Sequence, residues 1–165
     1  IKVWMKLPAA LRRTEPWYRG FESEELLHVS EPGGSWTWHV VAGEVHGQRG
    51  PVQSLTGLFM SWLTLKPSAH FVTAIPEDRG VMLYVVRGEV EVNGVPAKAR
   101  TMVELAHGEG TEVAITAWDD DALVLLCHGD VIDEPVVAYG PFVMNTEEEI
   151  REAYREYQAG AFGRV

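Results

Sequence analysis

Residues 81–95 read VMLYVVRGEVEVNGV and carry the strongest structural signal in the chain. Val90, Val92 and Val95 flank Asn93–Gly94, a dipeptide that accepts the positive φ angles of a tight hairpin turn. The glutamates before the turn alternate with the valines, which predicts one wet face and one buried face. The stretch therefore predicts an antiparallel β-hairpin that covers a core.

Short runs of the same character recur from Ser35 onward. They are rich in Val, Leu, Ile, Thr and aromatic residues, and each is bounded by Gly, Pro or Asp. The runs cover 36–45, 58–65, 70–75, 81–92, 101–105, 112–117 and 122–127. Closely spaced short strands predict an all-β sandwich or closed roll.

The length of 165 residues, without repeats or low-complexity tracts, fits a single domain. We expect a lead-in segment over 1–34, a β-barrel over 35–144 and one α-helix over 145–160. Thr146 and Glu149 form the pattern of a capping box at the start of that helix. The stripe that follows at helical spacing is apolar, and it consists of Ile150, Ala153, Tyr154 and Tyr157.

Charge and composition exclude several classes of function. A net charge of −10 with no block of Lys and Arg argues against a nucleic-acid partner. No apolar run approaches the roughly 20 residues of a membrane-spanning helix. Cys127 is the only cysteine, so the chain can form no intramolecular disulfide and no thiolate metal cluster. We expect the Cys127 thiol to be buried, because it lies in an apolar run. These features predict a soluble cytoplasmic protein.

The histidines give no familiar catalytic or metal-binding pattern. They are His28, His39, His46, His70, His107 and His128, and none lies within two residues of another. The strongest alternative is a metal site of His39 and His46 with Glu44. The two imidazoles differ in parity along a strand, so we expect them on opposite faces.

Two stretches carry a likeness to a known family. Residues 133–146, DEPVVAYGPFVMNT, and the continuation over 150–163 resemble the C-terminal signature of pirins, and residues 84–94, YVVRGEVEVNG, resemble their second cupin hairpin. The likeness implies a cupin double-stranded β-helix, or jelly-roll barrel, with one C-terminal helix. Pirins resemble two cupin barrels in one chain, with iron in the N-terminal barrel. The resemblance thus implies that this chain is the C-terminal half, with the N-terminal pirin cupin domain as its partner.

The family's iron ligands have no counterpart here. The resemblance puts the two histidines of the first ligand element at Pro76 and Asp78. It puts the later histidine and glutamate at Val113 and Ile115, in the element that begins at Gly108. We therefore expect no catalytic, cofactor-binding or metal-binding residue in this chain, and iron only in the N-terminal cupin of a longer parent.

Three functions remain open from the sequence. The first is a non-catalytic, metal-free scaffold or interaction half. An exposed apolar patch of this chain would pack against the metal-bearing barrel or against another protein. The second is a part of an iron-dependent quercetin 2,3-dioxygenase-type enzyme whose active site lies in the N-terminal cupin. The third is a small-ligand-binding or regulatory protein-binding barrel. Its expected interior lining is His70, Met82, Tyr84, Val86 and Val90.

Overall fold

The computed structural model of the chain describes residues 2–105 and 112–162. Within these ranges it contains fourteen strands, one α-helix and two short 3-10 helices, Ala9–Leu11 and Ser23–Glu25. The strands are β1 (Leu27–Ser30), β2 (Trp36–Ala42), β3 (Glu44–Val45), β4 (Gln48–Arg49), β5 (Phe59–Leu65), β6 (His70–Ala74), β7 (Arg79–Arg87), β8 (Glu89–Val92), β9 (Val95–Lys98), β10 (Met102–Leu105), β11 (Glu112–Ala117), β12 (Ala122–Asp130), β13 (Val137–Tyr139) and β14 (Phe142–Met144). The helix, α1, spans Glu147–Gln158.

Two compact units share the chain. The barrel unit is Tyr18–Val131, and the terminal unit combines Ile1–Trp17 with Ile132–Val165. The terminal unit therefore consists of two chain segments, and the barrel unit lies between them in the sequence.

Two antiparallel sheets form the barrel unit. The six-stranded sheet has the order β1-β2-β5-β12-β7-β10, and the four-stranded sheet has the order β6-β11-β8-β9. Their facing sides share one apolar core, to which the large sheet contributes Leu63, Leu83 and Val124 and the small sheet contributes Phe71 and Ile115. Because alternate residues of each strand point inward, this arrangement is the closed roll that the sequence predicts.

The hairpin predicted at Asn93–Gly94 is confirmed. β8 pairs with β9 so that Val92 faces Val95 across the turn. Asn93 and Gly94 have φ angles of 46° and 82°, the left-handed values that such a turn requires.

Two features of the barrel unit differ from the prediction. β1 lies within residues 1–34, where the sequence predicts an irregular lead-in, and it pairs with β2 as an edge strand. The predicted run over 81–92 is two strands, because Gly88, with a φ of 80°, separates β7 from β8. These two strands belong to different sheets.

Helix α1 begins as the capping box predicts. The backbone N–H of Glu149 donates to Thr146 Oγ1 at 3.2 Å, and the N–H of Thr146 donates to Glu149 Oε2 at 2.9 Å. Ile150 and Ala153 of the apolar stripe are buried. Tyr154 contacts the β13–β14 hairpin through the ring of Phe142, with centroids 5.1 Å apart. None of the described helices is long and apolar enough to cross a membrane.

Glu134 connects the two ends of the chain within the terminal unit. Its carboxylate accepts hydrogen bonds from the backbone N–H of Ala9 at 3.0 Å, from Lys6 Nζ at 3.1 Å and from Asn145 Nδ2 at 2.9 Å. These donors lower the pKa of Glu134 to about 2, with the Asn145 hydrogen bond as the largest cause. Arg12 adds an ion pair at 3.6 Å.

Candidate functional site

Two of the four positions at which the resemblance places the family's metal ligands lie in the apolar core. Val113 and Ile115 are fully buried in the apolar core, whereas Pro76 and Asp78 are exposed between β6 and β7. Valine, isoleucine and proline side chains carry no donor atom for iron. Among residues 2–105 and 112–162, no three or more His, Cys, Asp or Glu side chains are arranged to hold an ion. Gly108–Thr111 of the later element lie outside the described residues.

The predicted interior lining is wrong at four of its five positions. The interior residues of β7 are Val81, Leu83 and Val85, and Met82, Tyr84 and Val86 therefore point to the opposite face of the sheet. His70 is exposed, and its Nδ1 lies 2.9 Å from Thr116 Oγ1 on β11. Val90 alone lines the core. The parity argument failed because it ran through a bulge in β7: Val85 pairs with Val124 and Arg87 with Leu123, so the residues after Val86 change faces.

Besides the fully buried Ser61, the interior contains one more polar side chain among the described residues, His128. It is 8% exposed on β12, and its ring stacks on Phe59 with centroids 4.5 Å apart. Its Nδ1 is buried without a hydrogen-bond partner. The pKa of His128 is lowered to about 4. Burial is the largest cause, the nearby Arg79 guanidinium acts in the same direction, and Asp130 partly opposes both. The neutral imidazole of His128 therefore packs as part of the core.

The alternative metal site of His39, Glu44 and His46 is not assembled. Glu44 Oε2 accepts a hydrogen bond from Arg49 Nε at 2.8 Å in the β3–β4 ribbon. His46 lies in the turn of that ribbon, with a φ of 50°. His39 instead stacks on Trp62, with ring centroids 5.1 Å apart.

The outward side of the six-stranded sheet carries a continuous row of large side chains. Strand register joins them one by one across all six strands. In order from β1 to β10 the row is His28, His39, Trp62, Leu125, Tyr84 and Met102. We call it the outer row. A second line of apolar side chains runs beside it, and it consists of Met60, Cys127 and Met82.

The outer row is apolar over most of its length, yet it lies at the surface. Met102 at its end is 60% exposed, while Leu125 in the middle strand is 6% exposed under its neighbours. Cys127 is buried, as predicted, and burial raises the pKa of its thiol to about 11, so the thiol is not poised for chemistry. Four of the six side chains in the outer row are aromatic or apolar, and the row ends in the exposed Met102.

Two antiparallel sheets closed around one apolar core define the barrel unit as a cupin jelly roll. The crystal structure of quercetin 2,3-dioxygenase from Acinetobacter baumannii is similar to this chain, with a TM-score of 0.91 and 28% sequence identity. The similarity covers 98% of this chain and 56% of that one. The predicted cupin barrel with a C-terminal helix is thereby confirmed.

The family profile of the Pirin C-terminal cupin domain matches residues 60–163, and the chain belongs to this family. A pirin-like protein of Solanum lycopersicum is 34% identical over an alignment of 169 positions, which covers 99% of this chain and 56% of that protein. The pirin of Homo sapiens is 31% identical over 96% of this chain and 55% of its own length. The chain therefore spans a little over half the length of these relatives.

Proposed function

We propose that this chain is the non-catalytic half of a pirin-type bicupin, that its barrel interior holds no metal, and that it docks through the outer row onto a metal-bearing N-terminal cupin. The observation that carries the proposal is the outer row itself, an apolar sheet face that ends in the exposed Met102. Large exposed apolar faces commonly mark interaction sites. The relatives are nearly twice as long as the matched region, so they have sequence for a second barrel.

The interior argues against catalysis by this half alone. Val113 and Ile115 fill the places where the family's later ligands would stand, and both are fully buried. A buried valine or isoleucine offers neither a metal ligand nor a group for proton transfer. The scaffold role follows from an intact apolar core behind an apolar outer face.

Binding to an isolated, iron-loaded N-terminal pirin cupin tests the docking. Calorimetry with the chain as it stands should give a saturable one-to-one complex. Met102→Glu and Trp62→Glu each place a charge in the outer row and should weaken binding by at least about thirtyfold, or ~2 kcal/mol. Circular dichroism of each variant checks that the fold is retained.

Val95→Glu is the matched control. Val95 is 60% exposed, like Met102, but it lies on the hairpin of the four-stranded sheet. It should leave the affinity unchanged. Equal weakening by Val95→Glu and Met102→Glu, or no complex with the unaltered chain, would contradict docking through the outer row.

The second candidate function is that this chain forms part of a quercetin 2,3-dioxygenase-type enzyme whose active site lies in the N-terminal cupin. A structural relative with that name favours it. Quercetin consumption should be absent with this chain alone and, on this candidate, present with the complex. Turnover by the chain alone would overturn the non-catalytic role.

A further inference from the structure

His28 and His39 face each other directly across two neighbouring strands. They are register partners in the antiparallel β1–β2 pair, and both point to the outward side of the sheet. Directly opposed residues in such a pair have Cβ atoms about 4.5–5.5 Å apart. The two imidazole centroids lie 4.6 Å apart, with the ring planes at 72°.

His39 is held in place by the residues around it. Trp62 stacks on its ring with an interplanar angle of 15°, and Nδ1 is buried without a hydrogen-bond partner. Burial lowers the pKa of His39, and the nearby His28 lowers it further. A neutral imidazole keeps a lone pair for a metal ion.

The spacing of the rings suits one shared ion. Zinc–nitrogen bonds of about 2.0–2.1 Å in tetrahedral geometry place two ligand nitrogens roughly 3.3 Å apart. His28 is exposed on an edge strand, so rotation about its side-chain bonds can bring a nitrogen to that distance from a nitrogen of His39. Imidazole ligands suit Zn²⁺, Cu²⁺ and Ni²⁺ in preference to Mg²⁺ or Ca²⁺.

We propose that His28 and His39 form a surface chelate for a divalent transition metal ion, with water completing the coordination. This site is separate from the barrel interior, where the family's ligand positions lack donor atoms. Both imidazoles belong to the outer row, so the chelate forms in the chain as it stands, where His28 is exposed, and a cupin docked on the outer row would cover it.

Calorimetric titration of the whole chain with Zn²⁺ at pH 7 tests the site. One ion should bind for each chain, and Cu²⁺ should compete for the same place. His28→Gln and His39→Gln should each weaken Zn²⁺ binding by at least about tenfold. His70→Gln is the control, because His70 is exposed on the other sheet and its Nδ1 faces Thr116; it should leave the affinity unchanged.

Fluorescence locates the ion independently. Cu²⁺ bound at His39 should quench the emission of Trp62, because the two rings are stacked. Trp62→Phe should retain the calorimetric affinity and lose most of the quenching. Equal Zn²⁺ affinity in the unaltered chain, His28→Gln and His39→Gln would overturn the proposal, and so would the absence of a stoichiometric site.

Discussion

Single side chains decide what the barrel interior can do. Val113 and Ile115, at which the resemblance places two of the family's metal ligands, carry no donor atoms, and their burial adds to the apolar core. His128 is the exception among interior residues, since it brings a titratable ring beside Phe59. The interior is therefore arranged for packing, with one group that responds to pH.

The stability of the barrel unit should fall in mild acid because of His128. Its pKa is lowered to about 4 in the folded chain, while an unfolded histidine has a pKa of about 6.5. Between these values the unfolded state binds the proton more readily, so the free energy of unfolding falls as pH drops from about 6.5 to about 4. Thermal melts from pH 7 to pH 4 should show this decline.

His128→Phe should flatten the decline, because it keeps a ring against Phe59 and removes the titrating group. His70→Gln, which alters an exposed histidine, should keep the slope of the unaltered chain. An identical slope in His128→Phe would show that other groups cause the acid sensitivity.

At the scale of the elements, Gly88 divides what reads as one long strand. Its φ is 80°, and a Cβ there would lie 2.7 Å from the carbonyl oxygen of Asp121 and 2.9 Å from the Cα of Ala122. Backbone so close to the residue leaves no room for a side chain. This corner lets β7 and β8 belong to different sheets, and the bulge at Val86 just before it reverses the faces that an unbroken strand would have.

Gly88→Ala should therefore destabilise the barrel more than Gly94→Ala. Both glycines have positive φ angles, but a Cβ at Gly94 meets nothing within 4 Å. Gly94→Ala should cost about 1 kcal/mol for backbone strain alone, and Gly88→Ala should cost at least ~2 kcal/mol. Urea denaturation measures both values. Equal losses would mean that the close approach at Gly88 relaxes freely.

Glu134 should control how firmly the N-terminal segment is held within the terminal unit. Glu134→Gln removes the charge that Lys6 and Arg12 contact, so trypsin should cleave after Arg12 and Arg13 several times faster. Asp133→Asn, which changes the exposed neighbouring carboxylate, should leave the cleavage rate unchanged.

Acid should imitate Glu134→Gln. The folded pKa of about 2 lies below the value of an unfolded glutamate, so the stabilisation is complete above about pH 4.5 and is lost as pH falls towards 2. The protection factor of the Ala9 amide, which is its exchange rate relative to the intrinsic rate at the same pH, should therefore fall only below about pH 4.5. A protection factor that already falls near neutral pH would contradict this assignment.

At the scale of the whole molecule, the outer row forms a largely apolar line across the outward side of the six-stranded sheet, and Met102 at its end is exposed. Trp62, Tyr84 and Met102 place aromatic and sulfur-containing side chains on it. We expect the chain, when studied alone, to self-associate through this face at high concentration.

Sedimentation velocity should detect this as a concentration-dependent increase in the weight-average sedimentation coefficient. Met102→Glu should suppress the increase, since a charge in an apolar contact must be desolvated. Val95→Glu should leave it in place. If both variants behave alike, the effect is one of net charge and not of the outer row.

Local patterns in the sequence determined much of the fold. The Asn93–Gly94 turn, the capping box at Thr146 and most of the strands depend on neighbours a few residues apart, so they could be read directly. The sequence also predicts that donor atoms are lacking where the resemblance places the family's ligands, for example at Val113 and Ile115, because this depends only on side-chain type. β1 was missed because it is a four-residue edge strand next to Pro and Gly.

The faces of the strands were decided only in the tertiary structure. Inward and outward sides depend on strand register, and the bulge at Val86 places Met82 and Tyr84 on the face opposite to that of Val90. The contact between His28 and His39 likewise arises from strand register between residues that are not neighbours in sequence. Side-chain chemistry is a local property, whereas the surface on which it acts is set by long-range strand pairing.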